Sequence, residues 1–163
     1  MALNVRPATA QDLPLICALI RELADYEKLT NAVRFDPDEL GGHLFGPTPA
    51  AEAVIGEVDG AGQGFALFFP NFSTFEGKPG IYLEDLFVRP EMRGRGLGKA
   101  LFVHVAMLAR ERGCARFEWS VLDWNAPSIA FYKALGAVTL DEWIGMRLDR
   151  AALEKLANRA QKG

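Results

Sequence analysis

A chain of 163 residues, half of them hydrophobic and about a quarter charged, has the size and composition of one globular domain, 1–163, rather than a disordered or fibrous protein. A net charge of −3 excludes a broadly basic duplex-binding surface, so nucleic acid is not an expected partner, although the cluster Arg89–Lys99 is locally basic. Cys17 and Cys114 have neither metal nor redox spacing, the start lacks a signal-like pattern, and the apolar run 100–109 is too short for a bilayer. No metal, no membrane and a cytoplasmic location are the resulting expectations.

Leu3–Arg6 alternates like a short strand, and Thr9 with Asp12 resembles a reciprocal cap opening a helix to about Tyr26. Leu13, Ile16, Leu19, Ile20 and Leu23 give that helix one apolar stripe. Asp36-Pro37-Asp38-Glu39 opens a second helix, which Gly41-Gly42 is expected to keep short. Residues 51–58 and 64–69 read as a hairpin turning at Asp59–Gly62, and 70–80 as a loop carrying Phe72, Phe75 and Glu76. Residues 81–88 form the next strand, 98–112 a helix capped by Gly113, and 115–121 another strand. Asn125-Ala-Pro-Ser128 starts a helix ending at Gly136; 138–140 and 143–148 read as closing strands, and 150–160 as a last amphipathic helix. The order describes an α/β mixed sheet with parallel strands in its middle and helices covering it, where ligands sit beyond the carboxyl ends of the central strands.

The chemistry concentrates at one such end. Arg93-Gly94-Arg95-Gly96-Leu97-Gly98-Lys99 follows a strand and opens a helix, so backbone N–H groups and the positive helix terminus can hold an anion without Cβ interference. No Gly-Lys-Ser/Thr follows, and the Rossmann spacing with its downstream acid is absent. His43 and His104 sit in contexts that read as structural, and neither cysteine has a nearby histidine in sequence.

Arg93-x-x-Gly96-x-Gly98 resembles the pyrophosphate-binding signature of the GNAT superfamily of acyl-CoA-dependent N-acyltransferases. Ile81-Tyr-Leu-Glu-Asp-Leu-Phe-Val88 is similar to the family's splayed strand, and Asn125-x-Pro-Ser128-x-x-Phe131-Tyr132 to its second cofactor segment. Arg6-Pro-Ala-Thr-Ala10, Glu22-Leu-Ala-x-Tyr-Glu27, Tyr82-Leu-Glu-Asp85 and Trp124-Asn125-x-Pro-Ser128 resemble more narrowly the diamine acetyltransferases of the spermidine/spermine and thialysine type. The resemblance implies a GNAT fold with splayed middle strands, acetyl-CoA as acetyl donor, a small-molecule amine as acceptor and a homodimer. It also implies cofactor contacts from the backbone of Leu86, Phe87 and Val88, from Arg93, Gly94, Arg95, Gly96, Leu97, Gly98 and Lys99, and from Asn125, Ser128 and Tyr132.

An alkylamine is protonated at neutral pH, with a reference pKa near 10.4 as for Lys, and must lose a proton before its nitrogen attacks. By the resemblance Glu84 is the general base and Tyr132 gives a proton to the leaving thiolate. Strand alternation sends Asp85 to the face opposite Glu84 unless a bulge intervenes. A polycation asks for acids and aromatic rings, for which Tyr26, Glu27, Phe75, Glu84, Glu118, Trp119 and Glu142 are candidates. Phe75 stands where the diamine enzymes carry a tryptophan, and Asp141-Glu-Trp-Ile-Gly145 departs from their closing region. Protein, amino-acid or drug amines, or an acyl-CoA-binding regulatory module without catalysis, are the alternatives.

Overall fold

A computed structural model describes residues 1–162, which fall into two compact units, 1–122 and a second beginning at Asp123. The first holds β1 (Leu3–Pro7), α1 (Leu13–Tyr26), α2 (Pro37–Phe45), β2 (Glu52–Val58), β3 (Ala61–Ser73), β4 (Lys78–Val88), α3 (Leu97–Glu111) and β5 (Arg116–Trp119). The second holds α4 (Ala126–Ala134) and α5 (Arg150–Ala157).

The five strands lie side by side in chain order, the first four antiparallel and β4–β5 parallel, with α3 as the crossover that a parallel pair requires. Asp59 (φ 50°) and Gly60 (φ 82°) close β2 onto β3 with Val58 opposite Ala61, the two left-handed residues of a type I′ turn. Helices cover both faces. Ile16, Leu19 and Leu23 of α1 and Leu44 of α2 pack with Ala53, Ile55, Phe65, Leu67 and Phe87. The alternate positions face α3, where a Cβ on Gly56 would stand 2.9 Å from Leu97 and one on Gly64 3.3 Å from Leu101. Arg6 clamps this frame by bonding both carboxyl oxygens of Asp12, at 2.8 and 2.9 Å, and the carboxylate of Glu57.

Helix α2 is short, as expected: it runs through Gly41-Gly42 for nine residues and ends at Phe45 before Gly46. A Cβ on Gly41 would come within 2.8 Å of Leu13 Cδ2, so the first of these glycines allows α2 to approach α1. The expected loop 70–80 is largely strand, because β3 and β4 continue as a two-stranded ribbon to Ser73 opposite Lys78. Pro70 is tolerated there because the ladder from β2 ends at Phe68 and leaves that edge of β3 free. The expected strands 138–140 and 143–148 do not form: the segment is extended, with a turn closed by Trp143 N–H donating to Leu140 O at 3.1 Å, and no strand among the described residues pairs with it. Alternation alone makes no strand without a ladder partner.

Candidate active site

The central strand is irregular where the chemistry was expected. Leu67 stands opposite Asp85 and Phe68 opposite Leu83, so Glu84 is the extra residue of a bulge. Opposed residues share a face. Leu67 belongs to the α1 side, which puts Asp85 there, while Leu83 follows Phe68 to the α3 side. The bulge therefore lets Glu84 and Asp85 sit next to each other instead of alternating across the sheet, the exception that alternation left open.

Their electrostatics agree with this placement. Burial, then Glu84 and then Glu27, push the Asp85 carboxyl from 3.8 up to about 7. Burial and Glu84 likewise raise Glu27, the residue that ends α1. Three acids thus converge within one unit, Glu84 exposed and Asp85 and Glu27 half-buried. Asp85 is the member that residue-by-residue reading missed; its signal was an acidic pair inside an otherwise apolar strand.

Strand β4 runs into the glycine turn. Its parallel pairing with β5 covers only Gly80–Leu83 against Arg116–Trp119, where β5 ends, so among the described strands Leu86, Phe87 and Val88 pair with β3 alone. After a short 3-10 turn at Pro90–Met92, Gly94 (φ 76°) and Gly96 (φ 89°) take left-handed conformations and α3 begins with no side chain capping it. The first N–H groups of α3 have no acceptor within the helix. Gly94 and Gly96 are favoured by their positive φ, whereas a Cβ on Gly98 would meet only Val88 at 3.8 Å, so neither backbone conformation nor packing inside the protein demands a glycine at position 98. A backbone bare of Cβ atoms ahead of a helix N-terminus has the chemistry to hold a pyrophosphate. Lys99 is exposed on the first helical turn; Arg95 reaches the sulfur of Met1 at 3.5 Å; Leu97 is buried and anchors the helix start. Arg93 turns back, its Nε–H donating to Val88 O at 3.1 Å and its guanidinium lying 4.6 Å from the Tyr26 ring and 5.7 Å from Phe87. It ties the end of β4 to the end of α1, bringing Tyr26 beside the strand that carries Glu84.

The remaining candidates scatter. Phe75 is 97% exposed at the ribbon tip, roughly 20 Å along the strand from Glu84 at 3.3 Å per residue. Glu118 accepts from Asn71 Nδ2 at 3.3 Å, opposite Tyr82, whose hydroxyl meets Ser120 Oγ at 2.7 Å. Trp119 packs 4.9 Å from Phe102 and 5.1 Å from Phe117, which places it on the α3 side rather than among the acids. In the second unit, buried Asn125 accepts from Ser128 N–H at 3.4 Å as the cap of α4, with Pro127 in its first turn. Phe131 and Tyr132 form an edge-to-face pair at 5.2 Å, and Glu142 lies exposed in the turn after Leu140.

The chain also matches known proteins over most of its length. Residues 19–137 match the model of the Acetyltransferase (GNAT) family. The chain belongs to this GNAT acetyltransferase family. Thialysine N-epsilon-acetyltransferase of Bos taurus is 38% identical over 95% of this chain and 97% of its own length. The human spermidine/spermine N(1)-acetyltransferase-like protein 1 is 31% identical over 96% of this chain, which corresponds to 24% of that longer protein. Among solved structures, an integron cassette protein from the mobile metagenome of V. cholerae superposes with a TM-score of 0.79 at 26% identity, covering 96% of this chain and 98% of its own. The protein is an N-acetyltransferase with the mixed-sheet fold of that family, whose members draw the acetyl group from acetyl-CoA as a general rule. No helix among the described residues is long and apolar enough to cross a membrane.

Proposed function

We propose that the enzyme moves an acetyl group from acetyl-CoA to a primary amine of a small di- or polyamine-like substrate, thialysine and spermidine being the types named among its relatives. The observation that carries this is the acid trio Glu27, Glu84 and Asp85 near the end of α1. One ammonium must lose its proton to react, and any second ammonium on the same substrate needs a negative partner; three carboxylates supply both.

Acetyl-CoA, when bound, supplies a thioester. The N–H groups of Gly94–Lys99, with the charges of Arg95 and Lys99, hold its pyrophosphate, and Arg93 supports them by fixing the end of β4. The free backbone edge of Leu86–Val88 holds the pantetheine arm and polarises the carbonyl. Glu84 accepts the amine proton, directly or through a water, with Asp85, titrating near 7, beside it as a second acceptor. Asn125 and Ser128 hold the cofactor from the start of α4, and Tyr132 protonates the leaving thiolate, whose ordinary pKa is close to that of free cysteine. The amine attacks directly, with no covalent enzyme intermediate. Of the aromatic and acidic candidates, Tyr26 and Glu27 serve the substrate best. By the same likeness to the diamine acetyltransferases the active form is a homodimer.

Glu84→Gln and Tyr132→Phe test the roles. Each is expected to slow CoA release by about 10²-fold or more while calorimetric binding of acetyl-CoA stays unchanged. Unaltered turnover in both variants would contradict the assignment.

A further inference from the structure

The 3-10 turn ahead of the glycine turn, Pro90–Met92, is bracketed by two arginines, Arg89 at its start and Arg93 at its end. Both side chains reach the C-terminal half of α1. Arg89 Nε–H donates to Glu22 Oε2 at 3.1 Å, and the Arg93 guanidinium lies 4.6 Å from the Tyr26 ring centroid. Glu22 and Tyr26 are four residues apart in one helix and share a face, so the two arginines grip α1 at two points of a single stripe.

Each arginine is anchored to the sheet at its other end. The Arg89 backbone N–H donates to Gln63 O at 3.0 Å, and Gln63 is the extra residue of a second bulge, where Gly56 stands opposite Gly64 and Glu57 opposite Gly62. Arg93 donates its Nε–H to Val88 O at 3.1 Å, three residues along β4 from Asp85. On the helix, Leu23 and Ala24 are the last buried residues of α1, and Tyr26 packs only partly against the core. Polar contacts therefore take over from core packing at the end of α1 that carries Tyr26 and Glu27.

We propose that Arg89 and Arg93 are positioning residues for the acceptor amine: they hold Tyr26 and Glu27, at the end of α1, in register with Glu84 and Asp85 on β4. This rests on the reading of Tyr26 and Glu27 as acceptor-binding residues and names what places them. Arg93 then serves the amine rather than acting as a charge on the pyrophosphate. A lysine supplies an equal charge, but only a planar guanidinium donates along Nε to a carbonyl while its face lies on an aromatic ring. Acceptor binding lost equally from the ground and transition states raises KM and leaves kcat alone.

The test measures initial rates with saturating acetyl-CoA and whichever of thialysine and spermidine the wild type acetylates faster. Arg93→Lys should raise the amine KM about tenfold, with kcat and the calorimetric Kd for acetyl-CoA each within about twofold of wild type. Arg89→Glu sets two acids against each other and should also raise KM; adding Glu22→Arg restores the pair with its ends exchanged and should bring KM back. Weakened acetyl-CoA binding with an unchanged amine KM in Arg93→Lys makes Arg93 a cofactor ligand and overturns the proposal. A lowered thermal unfolding midpoint with no change in KM makes both arginines merely structural and overturns it too, as does a charge exchange that fails to restore KM. Glu27→Gln separates this from the reading beneath it: a raised KM there with an unchanged KM in Arg93→Lys removes only the positioning role. An unchanged KM in Glu27→Gln, or a wild type that acetylates neither amine, overturns both.

Discussion

Asp85→Asn is the substitution whose consequence follows most directly from the bulge. The native carboxyl titrates near 7 and an unfolded one near 3.8, so between those values the folded protein binds more protons than the unfolded chain, and stability falls as pH rises through that window. Three pH units at 1.36 kcal/mol each set an upper bound of about 4 kcal/mol. Because Asp85 keeps part of its surface in contact with solvent and part of its shift comes from the charges of Glu84 and Glu27, about 2 kcal/mol is the working figure. Asn keeps the shape of the neutral acid and does not ionise. Urea unfolding at pH 4 and pH 8 should therefore show the two proteins within about 0.5 kcal/mol of each other at pH 4, with the variant more stable by about 2 kcal/mol at pH 8. A gap of the same size at both pH values would refute the claim that Asp85 is buried as a strained carboxylate beside Glu84.

Asp12 has the opposite sign. Its bonds to Arg6 hold its carboxyl down at about 2, so the pair stabilises the fold above the unfolded value of 3.8 and is lost as pH falls toward 2; Asp12→Asn should cost about 1–2 kcal/mol by urea unfolding at pH 7 and little at pH 2, allowing for the partly exposed Arg6. Gly96→Val places a β-branched residue at φ 89° in the anion turn; acetyl-CoA binding by calorimetry should weaken by about tenfold or more, the loss of roughly one charge-assisted hydrogen bond, and thermal unfolding should shift down modestly.

The parts of the fold that rest on local rules were legible. Thr9–Asp12, Asp36–Pro37, Asp59–Gly60 and Asn125–Ser128 are caps and turns whose geometry the side chains determine within four residues, and each lies where its pattern indicated. The glycine turn was legible for the same reason. What failed depends on neighbours distant in sequence. Residues 70–73 and 78–80 became strand because each supplied the other's ladder, and 138–148 did not because no strand among the described residues pairs with it. The bulge at Glu84 is a register fact about β3 against β4, set by how Leu67 and Phe68 find their partners, and no side chain announces it. Trp119 was read as a substrate face because it is aromatic and near an acid; the parity of β5 sends it toward Phe102.

Transfer of acetyl from acetyl-CoA to one nitrogen of a small diamine is measured by offering the enzyme acetyl-CoA with equimolar thialysine, spermidine and an N-terminally free peptide and identifying the products by mass spectrometry. The expected products are a mono-acetylated diamine or thialysine formed in step with free CoA, beside an unmodified peptide. Acetylated peptide with untouched small amines, or CoA release without any acetylated amine, would contradict that transfer.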